Sequence, residues 1–257
     1  MTVVIVIIFC VLIFFLFRGL RKKKVIAPEI PQQKEHDLLL QHVKFYKALN
    51  ADEQASFLNR VQQFLASITI TPVGEVAITD LDKLLVASSA IIPIFNFKDW
   101  RYNNLDEVLI YPNAFTQDFS GRPEDSNVLG MVGDGAMNRM MILSIGSLRS
   151  GFEGSGTGNT GIHEFAHLLD KADGATDGVP EALLPKDLTA LWIEYMHKEI
   201  QQIKHNHSDI NSYAATNDAE FFAVISEYFF QKPEQLKLHH PELWEMLDTM
   251  YGGAPTD

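Results

Sequence analysis

Apolar and polar positions alternate along the chain with periods that change from segment to segment, and the changes mark out its elements. Met1 to Phe17 is an unbroken run of uncharged, mostly aliphatic and aromatic residues, followed at once by Arg18, Arg21, Lys22, Lys23 and Lys24. Val25 to Gln33, with Pro28 and Pro31, reads as a linker, and the folded part is expected to begin near His36. Leu38, Leu39, His42, Phe45, Tyr46 and Leu49 recur at helical spacing, and Asn50-Ala51-Asp52-Glu53 is a capping box opening a second helix through Leu65. Thr69 to Val73 is a short strand, and Ile78 to Ile92 a helix capped by Thr79 or Asp80. Glu107 to Pro112 is a strand ended by proline, and residues 113 to 139 have no clear period. Met140 to Ile145 reads as a buried strand, and the Gly/Ser/Thr/Asn loop from Gly151 to Gly161 offers Asn159 or Thr160 as the cap of the next helix. Leu183 to Lys204, Asn217 to Phe230 and Pro241 to Tyr251 are expected helices. Helices with a few strands between them predict an α+β fold rather than repeated βαβ units.

The N-terminal pattern predicts a membrane helix of near-minimal length, completed by snorkelling basic residues. A cleaved signal peptide would carry its charge before the apolar stretch, and here the charge follows it. The expected organisation is therefore an anchor over 1–17, a basic linker over 18–35 and one folded domain over 36–257. The positive-inside rule places that domain on the cytoplasmic side of the inner membrane.

Charge narrows the function. The chain has 257 residues and a net charge of −12, and setting aside the five basic residues beside the anchor leaves 16 positive side chains against 33 negative, or −17. A domain so acidic does not track phosphates, which argues against nucleic-acid binding. The single Cys, Cys10, lies in the apolar run, so the folded part has neither a disulfide framework nor a thiol nucleophile.

The chemistry concentrates at His163-Glu164-Phe165-Ala166-His167. Two imidazoles four residues apart share one helix face and can grip one Zn²⁺, with Glu164 beside it as general base. Ile162, Phe165, Ala166 and Leu169 form the apolar side, while His163, Glu164, His167 and Asp170 share the other. The bland alternative is a pair of core histidines satisfied by hydrogen bonds. A catalytic zinc site needs a third protein ligand, and Asp170, Glu220 and Glu227 are the acidic candidates. Asp170 suits orientation of a ligand, Glu220 is also the N3 residue of a capping box headed by Asn217, and Glu227 can be a structural acid. His205 and His207 read as solvated, Asp173-Gly174 and Asp177-Gly178 as turns, and Met131, Met137, Met140 and Met141 as adaptable packing.

His163 to Asp170, the later stretch Tyr213 to Val224 and its continuation Ser226 to Phe230 resemble the MtfA family of zinc peptidases. Glu107 to Phe115 and Phe229 to Pro241 are also similar to family segments. The resemblance implies a zincin-like metallopeptidase domain, with a catalytic core similar to that of anthrax lethal factor. It implies His163, His167 and Glu220 as zinc ligands, Glu164 as catalytic base and Tyr213 as catalytic tyrosine, acting on a peptide or protein substrate. Glu164 would deprotonate a zinc-activated water, while Tyr213 and the zinc share the oxyanion charge. Members bind the sugar-responsive repressor Mlc. The apolar N-terminus and residues 116 to 139 depart from the enterobacterial pattern, so that partner is not carried over. A competing reading is a module that sequesters a transcriptional regulator, with incidental hydrolysis. The strand Met140 to Ile145 is the expected edge for an extended peptide.

Overall fold

The structure, a computed structural model, describes residues 31–112, 130–133, 138–154 and 158–252. The expected anchor and the start of the linker lie outside them. Among the described residues no helix is long and apolar enough to cross a membrane.

The fold is mixed α and β, with helices predominating. Helix α1 (Gln32–His42) starts inside the stretch read as linker. Glu35 is buried there and accepts a hydrogen bond from Gln62 Nε2 at 2.6 Å. The periodic stretch through Leu49 is two helices, not one. Val43, at φ −115° and ψ 99°, breaks it and begins α2 (Lys44–Ala48). The capping box forms at α3 (Ala51–Ser67): Asn50 Oδ1 accepts from the Asp52 and Glu53 amides, and Glu53 returns a bond to the Asn50 amide. Strand β1 (Thr69–Pro72) follows, then α4 (Asp80–Ile91), capped by Thr79 in a second box closed by Asp82. Buried Asp82 also takes a two-pronged ion pair from Arg149, at 2.7 and 2.8 Å.

Strands β2 (Glu107–Tyr111), β3 (Gly130–Val132) and β4 (Met140–Ser144) complete one four-stranded sheet in the order β1-β2-β4-β3. β1, β2 and β4 run parallel, and β3 is antiparallel to β4. This corrects the expectation for Met140 to Ile145: β4 is paired on both sides, so it cannot receive a peptide. Among the described residues β3 is one edge and β1 the other, and β3 falls within the stretch that showed no period.

Helix α5 (Ile145–Glu153) has no clear periodic signal in the sequence, because Gly146, Gly151, Ser147 and Ser150 blur its pattern. Helix α6 (Thr160–Asp170) is the centre of the domain, packed against α4, α5, β3, β4 and a later helix. Its apolar stripe is fully used: Ile162, Phe165, Ala166 and Leu169 are each at most 1% exposed. Phe165 meets Phe64 and Tyr102 edge-on, at ring separations of 5.7 and 5.1 Å, and its burial stabilises by roughly 2–3 kcal/mol. Helix α7 (Thr189–Lys204) begins six residues later than expected. Pro185 disfavours helical backbone at Leu184, and the chain turns instead, with the Leu183 and Leu184 amides both on the Pro180 carbonyl. A 3-10 turn (Ser212–Ala215) leads to α8 (Asp218–Gln231), followed by α9 (Pro233–His239) and α10 (Pro241–Tyr251).

Candidate metal centre

Asn159 begins the site. Its side-chain oxygen accepts from the Ile162 amide at 3.0 Å, capping α6 so that His163 and His167 emerge one turn apart on the face opposite Phe165. Helix α8 packs against this face and supplies two acids. Asn217 caps α8 by accepting from the Glu220 amide at 2.9 Å, while the Glu220 carboxylate points at the histidines. The residue is therefore both the N3 position of a cap and a member of the cluster.

Three donor atoms converge. Glu220 Oε2 is 3.0 Å from His163 Nε2 and 3.4 Å from His167 Nε2, and the two ring nitrogens are 3.1 Å apart. With metal–nitrogen bonds of about 2.0–2.1 Å, two donors on a tetrahedral zinc lie about 3.3 Å apart, so this triangle has the right size. The donor set also has the right chemistry: two imidazole nitrogens facing each other beside a carboxylate are held together best by a shared cation. These are the only three side chains among the described residues that form such a cluster.

Glu227, two turns along α8, takes the other side of His163. Its Oε1 accepts from His163 Nδ1 at 2.6 Å, and its Oε2 accepts from the Asn159 amide at 2.6 Å. That bond keeps a proton on Nδ1 and turns Nε2 toward the cluster. Gly158 makes room for it, since a Cβ there would lie 2.0 Å from Glu227 Oε2. Asp170 makes no such contact with a histidine. It accepts from the Gly178 amide at 2.9 Å and secures the following turn, and His167 Nδ1 has no hydrogen-bond partner among the described residues.

Electrostatics follow the geometry. Burial disfavours the charged form of His163, yet hydrogen bonds to Glu220 and Glu227 overcome it and hold the ring up to about 10. Burial likewise opposes ionisation of Glu220, but His163 and His167 keep its carboxyl well below the usual range. Glu164, 4% exposed, is pushed above its ordinary value by burial, with the two histidines pulling the other way. A proton acceptor raised in this way is better matched to neutral pH. Burial and Glu220 raise the Tyr213 phenol to about 12, so it remains a hydrogen-bond donor at neutral pH. Tyr213 is half exposed, its ring 6.0 Å from that of His163.

A cleft of about 650 Å³ opens over the cluster, floored by His163, Glu164, His167 and Glu220 and walled by β3 and Tyr213. The sequence contained no sign of one close approach here. A Cβ at Gly130 of β3 would lie 2.5 Å from Glu164 Oε1 and 2.7 Å from its Cγ. Only a glycine lets the edge strand pass this carboxylate.

A family model for the glucose-regulated metallo-peptidase M90 matches residues 17–252. The chain belongs to this family. Among its relatives, Mlc titration factor A of Escherichia fergusonii is 31% identical over 248 residues, covering 89% of this chain and 90% of its own. An uncharacterized protein of Synechocystis is 29% identical, covering 90% and 87%. Mlc titration factor A of Pectobacterium atrosepticum is 29% identical, covering 80% and 82%. The resemblance to the MtfA family therefore extends over nearly the whole chain, and the M90 assignment implies a metallopeptidase.

Proposed function

We propose that the protein is a zinc-dependent peptidase that hydrolyses peptide bonds, with its domain held at the cytoplasmic face of the inner membrane by residues 1–17. The observation that carries this reading is the triangle of His163, His167 and Glu220 with the buried Glu164 carboxylate beside it. The donors fit zinc by number, type and spacing. His163, His167 and Glu220 would hold the ion, which would supply a Lewis acid and make water in the cleft more acidic. Glu164 accepts the proton of the attacking water and returns it to the leaving amine. Tyr213, protonated at neutral pH, donates a hydrogen bond to the oxyanion developing on the peptide carbonyl. Glu227 holds the His163 tautomer throughout. The backbone of β3 offers the edge along which an extended peptide pairs. The anchor rests on the uncharged run and the basic residues behind it.

The name shared by several relatives, Mlc titration factor A, favours a second reading, a module that titrates a transcriptional regulator, with hydrolysis incidental. Comparison of new protein N-termini in cells carrying the native chain and the Glu164→Gln chain separates the two. Cleavage products that vanish with the variant are expected for a peptidase. Matching maps with an unchanged set of bound proteins would sink that reading in favour of titration.

A further inference from the structure

A second cluster of titratable side chains lies outside the metal centre, and its hub is Asp209. This residue sits in the loop between α7 and the 3-10 turn that carries Tyr213. Its Oδ2 accepts from the Tyr228 hydroxyl at 2.6 Å, from His239 Nδ1 at 2.6 Å and from Gln235 Nε2 at 3.2 Å. Its Oδ1 accepts from His240 Nε2 at 2.7 Å, and the other nitrogen of His240 lies 3.3 Å from Glu199 Oε2 on α7. One carboxylate thus ties together the loop, α8, α9 and the α9–α10 junction. Four donors on one surface carboxylate exceed what a loop needs to stay folded, because the neighbouring Ile210, 4% exposed, already anchors it.

The position of the hub suggests its purpose. Tyr228 follows Glu227, the residue that holds His163, so the same stretch of α8 fixes both the histidine and the loop. Two residues after Asp209, Asn211 Oδ1 accepts from the Tyr213 amide at 3.0 Å and starts the turn. Tyr213 itself is half exposed, and its contacts, the His163 ring at 6.0 Å and the Glu220 carboxylate, lie at the metal centre and not around its own backbone. Where its backbone sits is set by the segments on either side. On the far side that is the Asn217 cap of α8; on the near side buried Ile210 and Ala214 seat the loop and the turn, and Asp209 ties the loop to α8 and α9.

We propose that Asp209 is a positioning residue for Tyr213: by drawing Tyr228, His239 and His240 onto one carboxylate, it fixes the segment from which the tyrosine reaches the metal centre. The inference rests on the peptidase reading for what Tyr213 does, but not for where Tyr213 is held. An anchor of this kind adds to turnover through orientation, where a displacement of about 1 Å costs up to roughly a hundredfold.

The test uses the full chain, loaded with zinc, and unfolded fluorescein-labelled casein as probe. Asp209→Asn keeps the shape and one acceptor oxygen. His239→Ala, at a side chain 44% exposed, removes one donor without touching the core. Both are expected to lower kcat, about tenfold for Asp209→Asn, with KM within about twofold and zinc stoichiometry unchanged. Combined with Tyr213→Phe, Asp209→Asn is expected to cost nothing further, as two residues acting through one group do not add. Full additivity in this cycle would overturn the proposal, since a general loss of stability adds to any defect. A second readout is independent of activity: amide hydrogen exchange in residues 208–216 is expected to quicken at least about tenfold in Asp209→Asn, with α8 unchanged. Native exchange there would overturn the proposal too. If the native chain leaves casein intact, the peptidase reading fails, and the exchange measurement alone still decides whether Asp209 holds the Tyr213 segment.

Discussion

His163 and Glu227 stand 64 positions apart in sequence and 2.6 Å apart in space, with the second carboxylate oxygen on the amide that opens the metal helix. One acid thus fixes both a ring and the helix that bears it. Glu227→Gln is expected to weaken zinc about 10- to 100-fold, the cost typical of losing a group that orients a ligand. Glu220→Gln is expected to weaken it more, because the donor itself is lost. Zinc titration of both, with a melting curve to expose any loss of α8 capping, decides it. Native affinity in Glu220→Gln together with collapse in Glu227→Gln would reverse the two roles.

Gly130→Ala is a test of the edge strand. The added methyl would overlap Glu164, so either β3 or the carboxylate must move. Turnover of labelled casein is expected to fall about tenfold or more while zinc content stays native, since none of the three donors is touched. Native turnover in this variant would show that the approach of β3 to the base is not needed.

The Asp209 cluster has a pH signature. His240 is raised above its ordinary value by its hydrogen bond to Glu199, against burial, with help from Asp209. A raised histidine contributes fully below its unfolded value, about 6.5, and the contribution is lost as pH climbs through the folded value. Asp209 is opposed by burial but held well below the usual range by Tyr228, His239 and His240, so its contribution persists above about pH 4. The groups facing His240 are Glu199 from α7, Asp209 from the loop, Tyr228 from α8 and its neighbour His239. The cluster is therefore strongest between about pH 4 and 6.5 and weakens on the alkaline side. His240→Gln is expected to cost about 1.5 kcal/mol at pH 6, a few degrees in Tm, with the difference shrinking toward pH 9. A difference that grows with pH would contradict the assignment.

Membrane topology is open to a direct measurement. A Cys placed at Lys34 is expected to resist an impermeant thiol reagent in intact cells and to react after lysis. The native Cys10 is first replaced by Ser so that one thiol reports. Labelling in intact cells would put the domain on the other side, and neutralising Arg18, Arg21 and Lys22 to Lys24 is expected to mix the orientations.

Elements with strong local signals were legible in the sequence. The capping box at Asn50 needs only four residues, the cap of α4 narrows to Thr79 or Asp80, and the stripe through Phe165 and Leu169 has the helical period over its whole length. Elements set by tertiary contacts were not legible. β3 is three residues long and exists because β4 offers it an edge; α5 carries two glycines and is held from outside, by Arg149 on Asp82. The apolar spacing runs on from Leu183, and only the turn before Pro185 shows that α7 starts at Thr189. At the site, the spacing of His163 and His167 brought out the metal helix. Glu220 and Glu227 lie seven apart on one helix face, so their spacing alone does not say which carboxylate meets which ring nitrogen. The packing of α8 across α6 makes that distinction. Asp170 looked suitable because it shares the face of His167, yet the turn at Gly178 claims its carboxylate.

Given the proposed pairing of peptides along β3, the antiparallel border of the sheet would also bear on what this protein selects. A chain laid along β3 must present a row of free amides and carbonyls, and such a row exists only where the target has given up its own helix or sheet pairing. Recognition on these terms reads conformational state before it reads side chains. Frayed termini, loosened loops and locally melted segments would be accepted, and the same residues in a well-folded protein would be passed over. Susceptibility of a given target would then follow the free energy of its local opening.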